Sequence, residues 1–342
     1  MRTENDMSKI LTVAIPSYNV EKFLKTTLDS FLCEESVMEK IEVIVVDDGS
    51  KDGTAAIGKE YEAKYPHTFR TISKENGGHG SAVNCGIENA SGKYYKIVDG
   101  DDWVNTEDFV KLVSLLEKCD SEYVFTNYCE YYDDVKRKNP VKYRRFKNGE
   151  SYTFADFADD FHIPMHALII RTDILKDNRI KLDEKCFYVD TEYIAFPVPY
   201  VKSITYFDLY VYMYRLNLST QSVSVTGYQR HIDDHIRVTL RLIDFYNEYS
   251  SSPEKDEYKN AYIKKLATKT TLSQSRIFSS FPYRDMENRK RFAEFDAEVK
   301  KRSPEIYEAT SAHSKKLALL RKYNFRHYSL IQFLSKLRNS RK

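Results

Sequence analysis

The stretch Tyr94-Tyr95-Lys96-Ile97-Val98-Asp99-Gly100-Asp101-Asp102-Trp103 is an apolar run that ends in three carboxylates within four residues. Its first five residues are aromatic or aliphatic apart from Lys96, so they predict a short buried strand. The acidic residues then fall on the loop at the carboxyl end of that strand, where open α/β sheets bind ligands. Carboxylates this close repel one another unless a cation or hydrogen-bond donors offset their charge. Hard oxygen ligands favour Mg²⁺ or Mn²⁺, so the stretch predicts a metal site, with an acidic turn before a helix cap as the structural alternative.

The residues upstream repeat a pattern of strand followed by helix. Ile10–Pro16 and Ile41–Val46 are apolar runs, and each is followed by turn residues and a predicted helix. Phe69–Ser73 is a weaker strand candidate that leads into the loop Glu75–Ser81, whose glycines allow close approach of the backbone to another group. Repeated β-α units predict a mostly parallel, Rossmann-like sheet flanked by helices on both faces.

Composition limits the class of protein. The 342 residues are 42% apolar, enough for one large or two ordinary domains with a sizeable core. Five cysteines, an odd number without a C-x-x-C pair, argue against a disulfide framework or a zinc site and favour the cytoplasm. The sequence shows neither an apolar leader nor a run of about 18 apolar residues. The net charge of +2 gives no general attraction to nucleic acid.

Three motifs, taken together, are more specific than any one of them. They are Ile15-Pro16-Ser17-Tyr18-Asn19, Val45-Val46-Asp47-Asp48-Gly49-Ser50 and Asp99-Gly100-Asp101. In this order and spacing they resemble the family 2 glycosyltransferases of the GT-A fold, of the non-processive bacterial type. The resemblance covers about residues 9–225, and the third motif is similar to the family's DXD metal motif.

The resemblance implies a role for each of these loops. It implies a nucleotide-sugar site formed by Pro16, Tyr18, Asp48, Gly78, His79 and Asp99. It implies that Asp101 and Asp102 hold Mn²⁺ or Mg²⁺, which would offset the charge that develops on the leaving phosphate. For each residue taken singly, a turn or helix-cap role is the alternative.

A downstream acidic pair resembles the family's catalytic base. In Tyr188-Val189-Asp190-Thr191-Glu192, we expect Asp190 to accept the proton of the acceptor hydroxyl, with Glu192 as second candidate. A helix N-terminal acid without a catalytic role is the alternative. His166 and Arg215 fall where such enzymes line the acceptor site or close over the diphosphate, although structural roles are open for both.

The chain departs from the family pattern in two places. Val83-Asn84 stands where many members carry an arginine before the asparagine, so one expected phosphate contact is in question. The loop Gly77–Gly80 is a candidate to replace it through backbone N–H groups and the His79 ring. No Q-x-x-R-W sequence occurs, since the single tryptophan is Trp103. We therefore expect one sugar to be added per encounter.

These observations predict an inverting transfer of one sugar from a nucleoside diphosphate sugar, a UDP-sugar, to a hydroxyl acceptor. The acceptor is expected to be a lipid-linked or cell-surface glycan precursor. A sugar nucleotidyltransferase and a non-catalytic carbohydrate-binding protein of the same fold are the alternatives. A Rossmann oxidoreductase is disfavoured because no G-x-G-x-x-G follows the first strand. The predicted organisation is a GT-A domain over 1–228, with a nucleotide-sugar half over 9–130 and an acceptor half over 131–228, and a C-terminal helical region over 229–342.

The C-terminal segment is basic. After Glu308 the sequence holds no acidic residue and nine cations: Lys315, Lys316, Arg321, Lys322, Arg326, Lys336, Arg338, Arg341 and Lys342. Apolar residues lie between them: Leu317, Leu320, Phe325, Tyr328, Ile331, Phe333 and Leu334. Such a segment predicts peripheral contact with an anionic bilayer at the inner face of the cell membrane. The alternative is a helix that packs its apolar residues on the domain.

Overall fold

The computed structural model describes residues 9–157, 161–216 and 224–339. The backbone packs into two compact units. The first holds residues 9–156 and 163–216, and the second holds Phe157, residues 161–162 and residues 224–339.

In the first unit, ten strands of the described chain form one mixed sheet. Strand order is β3-β2-β1-β4-β9-β6-β10-β5, with β7 paired to β6 and β8 paired to β10. The strands are β1 (Leu11–Ser17), β2 (Ile41–Asp47), β3 (Phe69–Ser73), β4 (Tyr94–Ile97), β5 (Trp103–Val104), β6 (Tyr123–Tyr132), β7 (Arg137–Val141), β8 (Ser151–Tyr152), β9 (Leu168–Arg171) and β10 (Ile204–Leu216).

The predicted parallel pairing is present from β1 to β4. β1 pairs in parallel with β2 and β4, and β2 pairs in parallel with β3. Further along, β9 runs antiparallel to both β4 and β6, while β6 and β10 are parallel to each other. The sheet as a whole is therefore mixed. The sequence did not predict this, because apolar runs predict strands but carry no information on strand direction.

Seven helices of the first unit flank this sheet. α5 shows why such segments become helices: Asn105 Oδ1 accepts a hydrogen bond from Asp108 N at 3.0 Å at its start, and Phe109, Leu112, Val113 and Leu116 bury one face. The helices are α1 (Glu21–Asp29), α2 (Glu35–Met38), α3 (Thr54–Lys64), α4 (His79–Asn89), α5 (Thr106–Lys118), α6 (Thr172–Asp177) and α7 (Asp190–Ala195).

The basic stretch between residues 133 and 148 is part of a hairpin. β7 pairs antiparallel with the second half of β6, with Lys136 at φ 50° in the turn. The cations are mostly exposed, and several pair locally, as Lys142 does with Asp208 at 2.6 Å. The composition of this stretch, cations and polar residues, predicts an exposed loop or a hairpin, and the structure contains the hairpin.

The second unit is helical, as predicted. Its helices begin at side-chain caps such as Asp256, Asp285 and Ser314. Every described helix is either too short or too polar to cross a membrane. The helices are α8 (Val225–Arg230), α9 (Ile232–Ser250), α10 (Glu257–Ser280), α11 (Met286–Arg302), α12 (Pro304–His313), α13 (Lys315–Lys322) and α14 (Tyr328–Asn339).

The apolar residues of the C-terminal segment are mostly internal. Leu317, Leu320, Phe325, Tyr328 and Ile331 are buried within the second unit, whereas Phe333 is half exposed. Arg321 also points inward and forms an ion pair with Asp296 at 2.7 Å. These five apolar residues therefore pack within the protein, which is the alternative to membrane contact that the sequence left open. The side chains of Leu334, Lys336 and Arg338, and all of Arg341 and Lys342, lie outside the described structure.

Candidate active site

Three strand ends bring the sequence motifs to one edge of the sheet. β1 and β2 are in register, with Ser17 opposite Asp47, and Asp48 N donates to Ser17 O at 2.9 Å. β4 lies on the other side of β1, and Gly100 N donates to Pro16 O at 3.3 Å. The loops after the three strands are thus bonded directly to one another. Tyr18 lies on the first of them with half its surface exposed, as a side chain that stacks on a ligand would.

The Asp48 carboxylate organises the glycine loop. Oδ1 accepts from Lys74 Nζ at 2.8 Å and from Gly77 N at 2.9 Å, and Oδ2 accepts from Gly78 N at 2.7 Å. Gly78 has φ 82°, a conformation that glycine adopts without strain. In this structure the N–H groups of Gly77 and Gly78, considered above as phosphate ligands, therefore donate to Asp48. Lys74 was not predicted from the sequence, because it meets Asp48 only through the pairing of β2 with β3.

His79 and Asp99 form an ion pair at the start of α4. His79 Nε2 lies 3.0 Å from Asp99 Oδ1. Burial disfavours the charged imidazole, but the hydrogen bond to Asp99 and the charges of Asp99, Asp190 and Asp101 outweigh burial and raise the pKa of His79. Burial would raise the pKa of Asp99, yet the hydrogen bond from His79 lowers it. The pair therefore favours protonation of the His79 ring, which would offset the charge of carboxylates that otherwise repel one another.

Asp102 is buried and anchors the acidic loop to β10. Its Oδ2 accepts from the Tyr212 hydroxyl at 2.6 Å, and its Oδ1 accepts from Arg215 N at 2.7 Å. Burial and the neighbouring charges of Asp101 and Asp99 raise the pKa of Asp102 well above its usual value. Burial, followed by the charge of Asp99, likewise raises the pKa of Asp101 to about 6. Added positive charge would therefore favour the ionised forms of Asp101 and Asp102, whose pKa values are raised here.

Arg215 holds the other side of the same loop. Its Nε donates to Asp101 O at 2.8 Å, and its Nη1 lies 2.7 Å from Asp133 Oδ1. The guanidinium also lies 4.7 Å from the centre of the Trp103 ring. Through the contacts with Asp101 O and Trp103, Arg215 positions the acidic loop. Contact with a diphosphate stays a prediction.

His166 completes the one group of possible metal ligands in the described part of the chain. Ligand atoms of Asp99, Asp102 and His166 all lie within 4.8 Å of one another. Burial lowers the pKa of His166 to about 4, so its imidazole is neutral at pH 7, the form that binds metals. Asp101, predicted as a ligand from the sequence, is not part of this group.

Lys96 holds the backbone of His166 through a hydrogen bond. Lys96 is fully buried, and its Nζ donates to His166 O at 2.8 Å and to Leu168 O at 3.4 Å. Burial lowers the pKa of Lys96 to about 7. The signal for this role was present in the sequence, because Lys96 is the one charged residue in the apolar run that forms β4.

Asp190 is the first residue of α7, and the charges of His79 and Asp99 act on its pKa. Burial raises the pKa of Asp190 to about 6, with His79 opposing that shift and Asp99 adding to it. Glu192 is fully buried, and its Oε2 accepts from Asp183 N at 2.8 Å. The geometry gives Glu192 a structural contact within the loop before α7. Asp190 has the electrostatic setting of a base that operates near neutral pH.

Asn84 ties α4 to the loop that leads to α7. Its Oδ1 accepts from Leu182 N and its Nδ2 donates to Leu182 O, both at 2.9 Å. Nearby, a Cβ on Gly80 would lie 2.0 Å from Asp183 O, so this close approach requires glycine. The asparagine that remains where the family pattern has Arg-Asn is therefore a structural residue.

The predicted site residues thus form one connected region. Asp48 holds Gly78, His79 follows Gly78 and pairs with Asp99, and Asp99 lies beside Asp102 and His166. Pro16 and Arg215 bond to the acidic loop from either side. These are carboxylates, a histidine whose pKa is raised and glycine backbone at the carboxyl edge of a sheet, a setting suited to a charged, phosphate-containing ligand and a divalent cation.

Comparison with known proteins agrees with this geometry. Residues 12–179 match the model of glycosyl transferase family 2. The chain is similar to the uncharacterized glycosyltransferase EpsJ of Bacillus subtilis (strain 168), with 27% identity over 270 residues, covering 75% of each chain.

Solved structures show the same fold. Residues 1–349 of S. aureus TarS, solved in complex with UDP-GlcNAc, match with a TM-score of 0.68 at 18% identity, covering 96% of this chain and 92% of that one. The mannosyltransferase PcManGT from Pyrobaculum calidifontis, solved with GDP-Man and Mn²⁺, matches with a TM-score of 0.51 at 15% identity, covering 96% of this chain and 86% of that one. The family match over residues 12–179 and the fold shared with the solved structures therefore identify these residues as a glycosyl transferase family 2 domain with a GT-A fold.

Proposed function

We propose that this protein is an inverting glycosyltransferase that moves one sugar from a UDP-sugar to a hydroxyl acceptor by a single displacement. The observation that carries the proposal is the setting of Asp190. Burial raises the pKa of its carboxyl group to about 6, and the charges of the His79–Asp99 pair act on it at the sheet edge where the nucleotide motifs meet. A base and a charged ligand site are then side by side, as transfer from a sugar diphosphate requires.

The nucleotide is assigned to the loops after β1 and β2. Tyr18 is exposed for stacking, Pro16 and Asp48 flank it, and Gly78 and His79 approach from α4. TarS, which shares the fold, binds UDP and UDP-GlcNAc. That observation supports a uridine nucleotide here, whereas the sugar itself is left to experiment.

A divalent cation fits the acidic loop. Asp99, Asp102 and the neutral His166 offer oxygen and nitrogen ligands within reach of one ion, and Asp101 is a further carboxylate on the same loop. This donor set suits Mn²⁺, and also Mg²⁺ with water as additional ligands. When bound, the ion offsets the negative charge on the leaving diphosphate. PcManGT, the more distant structural match, binds Mn²⁺ with its GDP-sugar.

The chain's own groups carry the remaining steps. Asp190, ionised above about pH 6, accepts the proton of the attacking acceptor hydroxyl. His79 in its cationic form keeps Asp99 ionised and adds positive charge beside the diphosphate position. Arg215 holds the backbone of Asp101 in place through its Nε. Attack from the side opposite the leaving group inverts the anomeric centre.

The proposal extends to the acceptor and its location. We assign the acceptor to a lipid-linked or cell-surface glycan precursor, so that the enzyme takes part in cell-surface polysaccharide synthesis. The reaction would take place in the cytoplasm, at the inner face of the cell membrane. The support for this location is the basic C-terminal segment and the cysteine content, both of which suit that compartment.

The test is hydrolysis of nucleotide sugars, which needs no knowledge of the acceptor. Purified protein is incubated with a panel of UDP- and GDP-sugars and Mn²⁺, and release of the nucleoside diphosphate is measured. We expect release from one or a few UDP-sugars, loss of release in EDTA and recovery with Mn²⁺ or Mg²⁺. Release of pyrophosphate from a nucleoside triphosphate and a sugar phosphate would instead show a nucleotidyltransferase. Sugar binding without any turnover would favour a carbohydrate-binding protein.

A further inference from the structure

Exposed apolar side chains are concentrated near the C-terminus of the second unit. Six large apolar side chains between residues 283 and 333 are between 39% and 56% exposed. They alternate with the buried residues of α13 and α14, so they are the residues left over after the unit has formed its core. They are Tyr283, Met286, Leu319, Tyr323, Leu330 and Phe333.

Part of this set forms a contiguous patch. The rings of Tyr283 and Phe333 lie 6.5 Å apart, which joins the turn after α10 to α14. Leu330 precedes Phe333 by three residues on α14, so the two side chains share one helical face. The arrangement is fixed from beneath, because buried Gln332 donates to Phe281 O at 3.1 Å and to Pro282 O at 2.8 Å.

Cations border the patch. The Arg284 guanidinium lies 5.2 Å from the centre of the Tyr283 ring, and exposed Arg326 precedes Leu330 by four residues. One nearby carboxylate, Asp285, is engaged as the cap of α11, where it accepts from Asn288 N at 3.0 Å, and Glu287 on the first turn of α11 is exposed. From Glu308 onward the sequence adds no further acidic residue. The margin of the patch therefore carries charges of both signs, and the excess of positive charge lies in the sequence after Glu308.

We propose that this C-terminal surface, formed by Tyr283, Arg284, Arg326, Leu330 and Phe333, rests on an anionic lipid bilayer. Tyrosine and phenylalanine rings favour the boundary between head groups and acyl chains, and arginines beside them contact lipid phosphates. Each cation close to the surface contributes about 1 kcal/mol before screening by salt. The inference differs from the sequence expectation, because Leu317, Leu320, Phe325, Tyr328 and Ile331 are buried and the contact falls to other residues. It rests on the membrane location proposed above and does not depend on which sugar is transferred.

Two variants of the full chain test the surface. Leu330→Ser with Phe333→Ser removes the apolar centre, and Arg284→Glu with Arg326→Glu reverses the margin. The matched controls are Val225→Ser with Tyr258→Ser, which are 60% and 54% exposed in the same unit, and Lys64→Glu with Lys118→Glu on exposed positions of the first unit. Far-UV circular dichroism and thermal melting confirm that each variant is folded.

Binding is measured by co-sedimentation with vesicles of phosphatidylcholine alone and of equimolar phosphatidylcholine and phosphatidylglycerol. We expect the unaltered chain and both controls to sediment with the anionic vesicles and to be released by salt. Each test variant should lose at least tenfold in partitioning. Equal partitioning of test and control variants would overturn the proposal. So would dissociation of a dimer by the same variants in analytical ultracentrifugation without vesicle binding, which would make the patch an interface between two copies.

Discussion

The hydroxyl of Tyr212 bonds the two ends of the acidic loop at once. It donates to Asp102 Oδ2 at 2.6 Å and accepts from Asp99 N at 3.2 Å. Tyr212 lies on β10, 110 residues from Asp102 in the sequence. A single phenol on a distant strand thus fixes the conformation of the loop that carries the candidate metal ligands.

Tyr212→Phe should therefore loosen the acidic loop, while the aromatic ring still fills its place in the core. Removing the hydroxyl leaves the buried Asp102 carboxylate short of one donor, at a cost of about 1–3 kcal/mol in the free energy of unfolding. We also expect weaker binding of UDP in the presence of Mn²⁺, measured by calorimetry. Tyr131→Phe is the control, since the Tyr131 ring packs edge-on against Trp103 and contacts no acidic-loop carboxylate in the described structure. Unchanged UDP affinity in Tyr212→Phe would show that the loop is held by its other contacts.

Asp190→Asn should separate catalysis from binding. The amide cannot accept the hydroxyl proton as a carboxylate does, so transfer should fall by about 10²-fold or more. Binding of UDP should be nearly unchanged, because Asp190 lies on α7 and not on the nucleotide loops.

Asp101→Asn is the comparison for Asp190→Asn and should weaken binding of the metal–nucleotide complex. Asp120→Asn, at a surface ion pair with Lys93, should change neither property. Calorimetry and turnover on the same preparations decide the matter. Equal loss of UDP affinity in Asp101→Asn and Asp190→Asn would contradict this division of roles.

Lys96 makes the stability of the first unit depend on pH. Burial depresses its pKa from 10.5 to about 7 in the folded state. Between these values the unfolded chain binds more protons than the folded one, so the contribution of Lys96 to stability is full above pH 10.5. That contribution is lost as the pH falls to 7.

Lys96→Met removes this dependence. The free energy of unfolding of the unaltered chain should therefore rise relative to that of Lys96→Met, by on the order of 1 kcal/mol per pH unit between pH 7 and 9. Urea unfolding in EDTA, followed by the fluorescence of Trp103, reports on this unit because Trp103 is the single tryptophan. A difference between the two proteins that does not change with pH would mean that Lys96 stays protonated when buried.

The buried ion pair of Asp296 and Arg321 is expected to dominate the stability of the second unit. Both side chains are 6% exposed, and Arg321 also donates to Tyr307 O at 2.6 Å. Asp296→Ala leaves a buried guanidinium without its carboxylate and should cost about 3–5 kcal/mol. Asp296→Leu with Arg321→Met should recover most of that loss. Glu294→Ala, which breaks an exposed pair with Lys290 in the same unit, should cost less than about 1 kcal/mol. All three variants are compared by urea unfolding followed by far-UV circular dichroism, because Trp103 lies in the first unit.

Local patterns predicted the strands of the nucleotide half and the acidic loop, because each depends on a few consecutive residues. The partners of those loops could not be predicted in the same way. Lys74 reaches Asp48, and Tyr212 reaches Asp102, only through strand pairing between segments far apart in sequence. Sequence spacing does not encode which strand lies beside which.

The C-terminal segment forms two helices, α13 and α14, and the sequence did not show where the first ends. The helical conformation is interrupted between α13 and α14, where Asn324 and Phe325 have φ 46° and 57°. Apolar residues on either side of this break belong to two helices with separate faces. A helical wheel drawn across it mixes buried and exposed positions, which is why no clean apolar face was visible in the sequence.

The amide of Asn84 has a consequence for engineering this enzyme. It bonds both backbone groups of Leu182 from α4, the helix that begins at His79, while the same loop continues to Asp190. One engineering route is to exchange this loop for that of another transferase. This loop cannot be exchanged alone. A graft that does not present the same N–H and C=O groups to Asn84 would leave the buried Asn84 amide without its hydrogen bonds. A useful chimera would therefore have to exchange α4 and the 182–190 segment together.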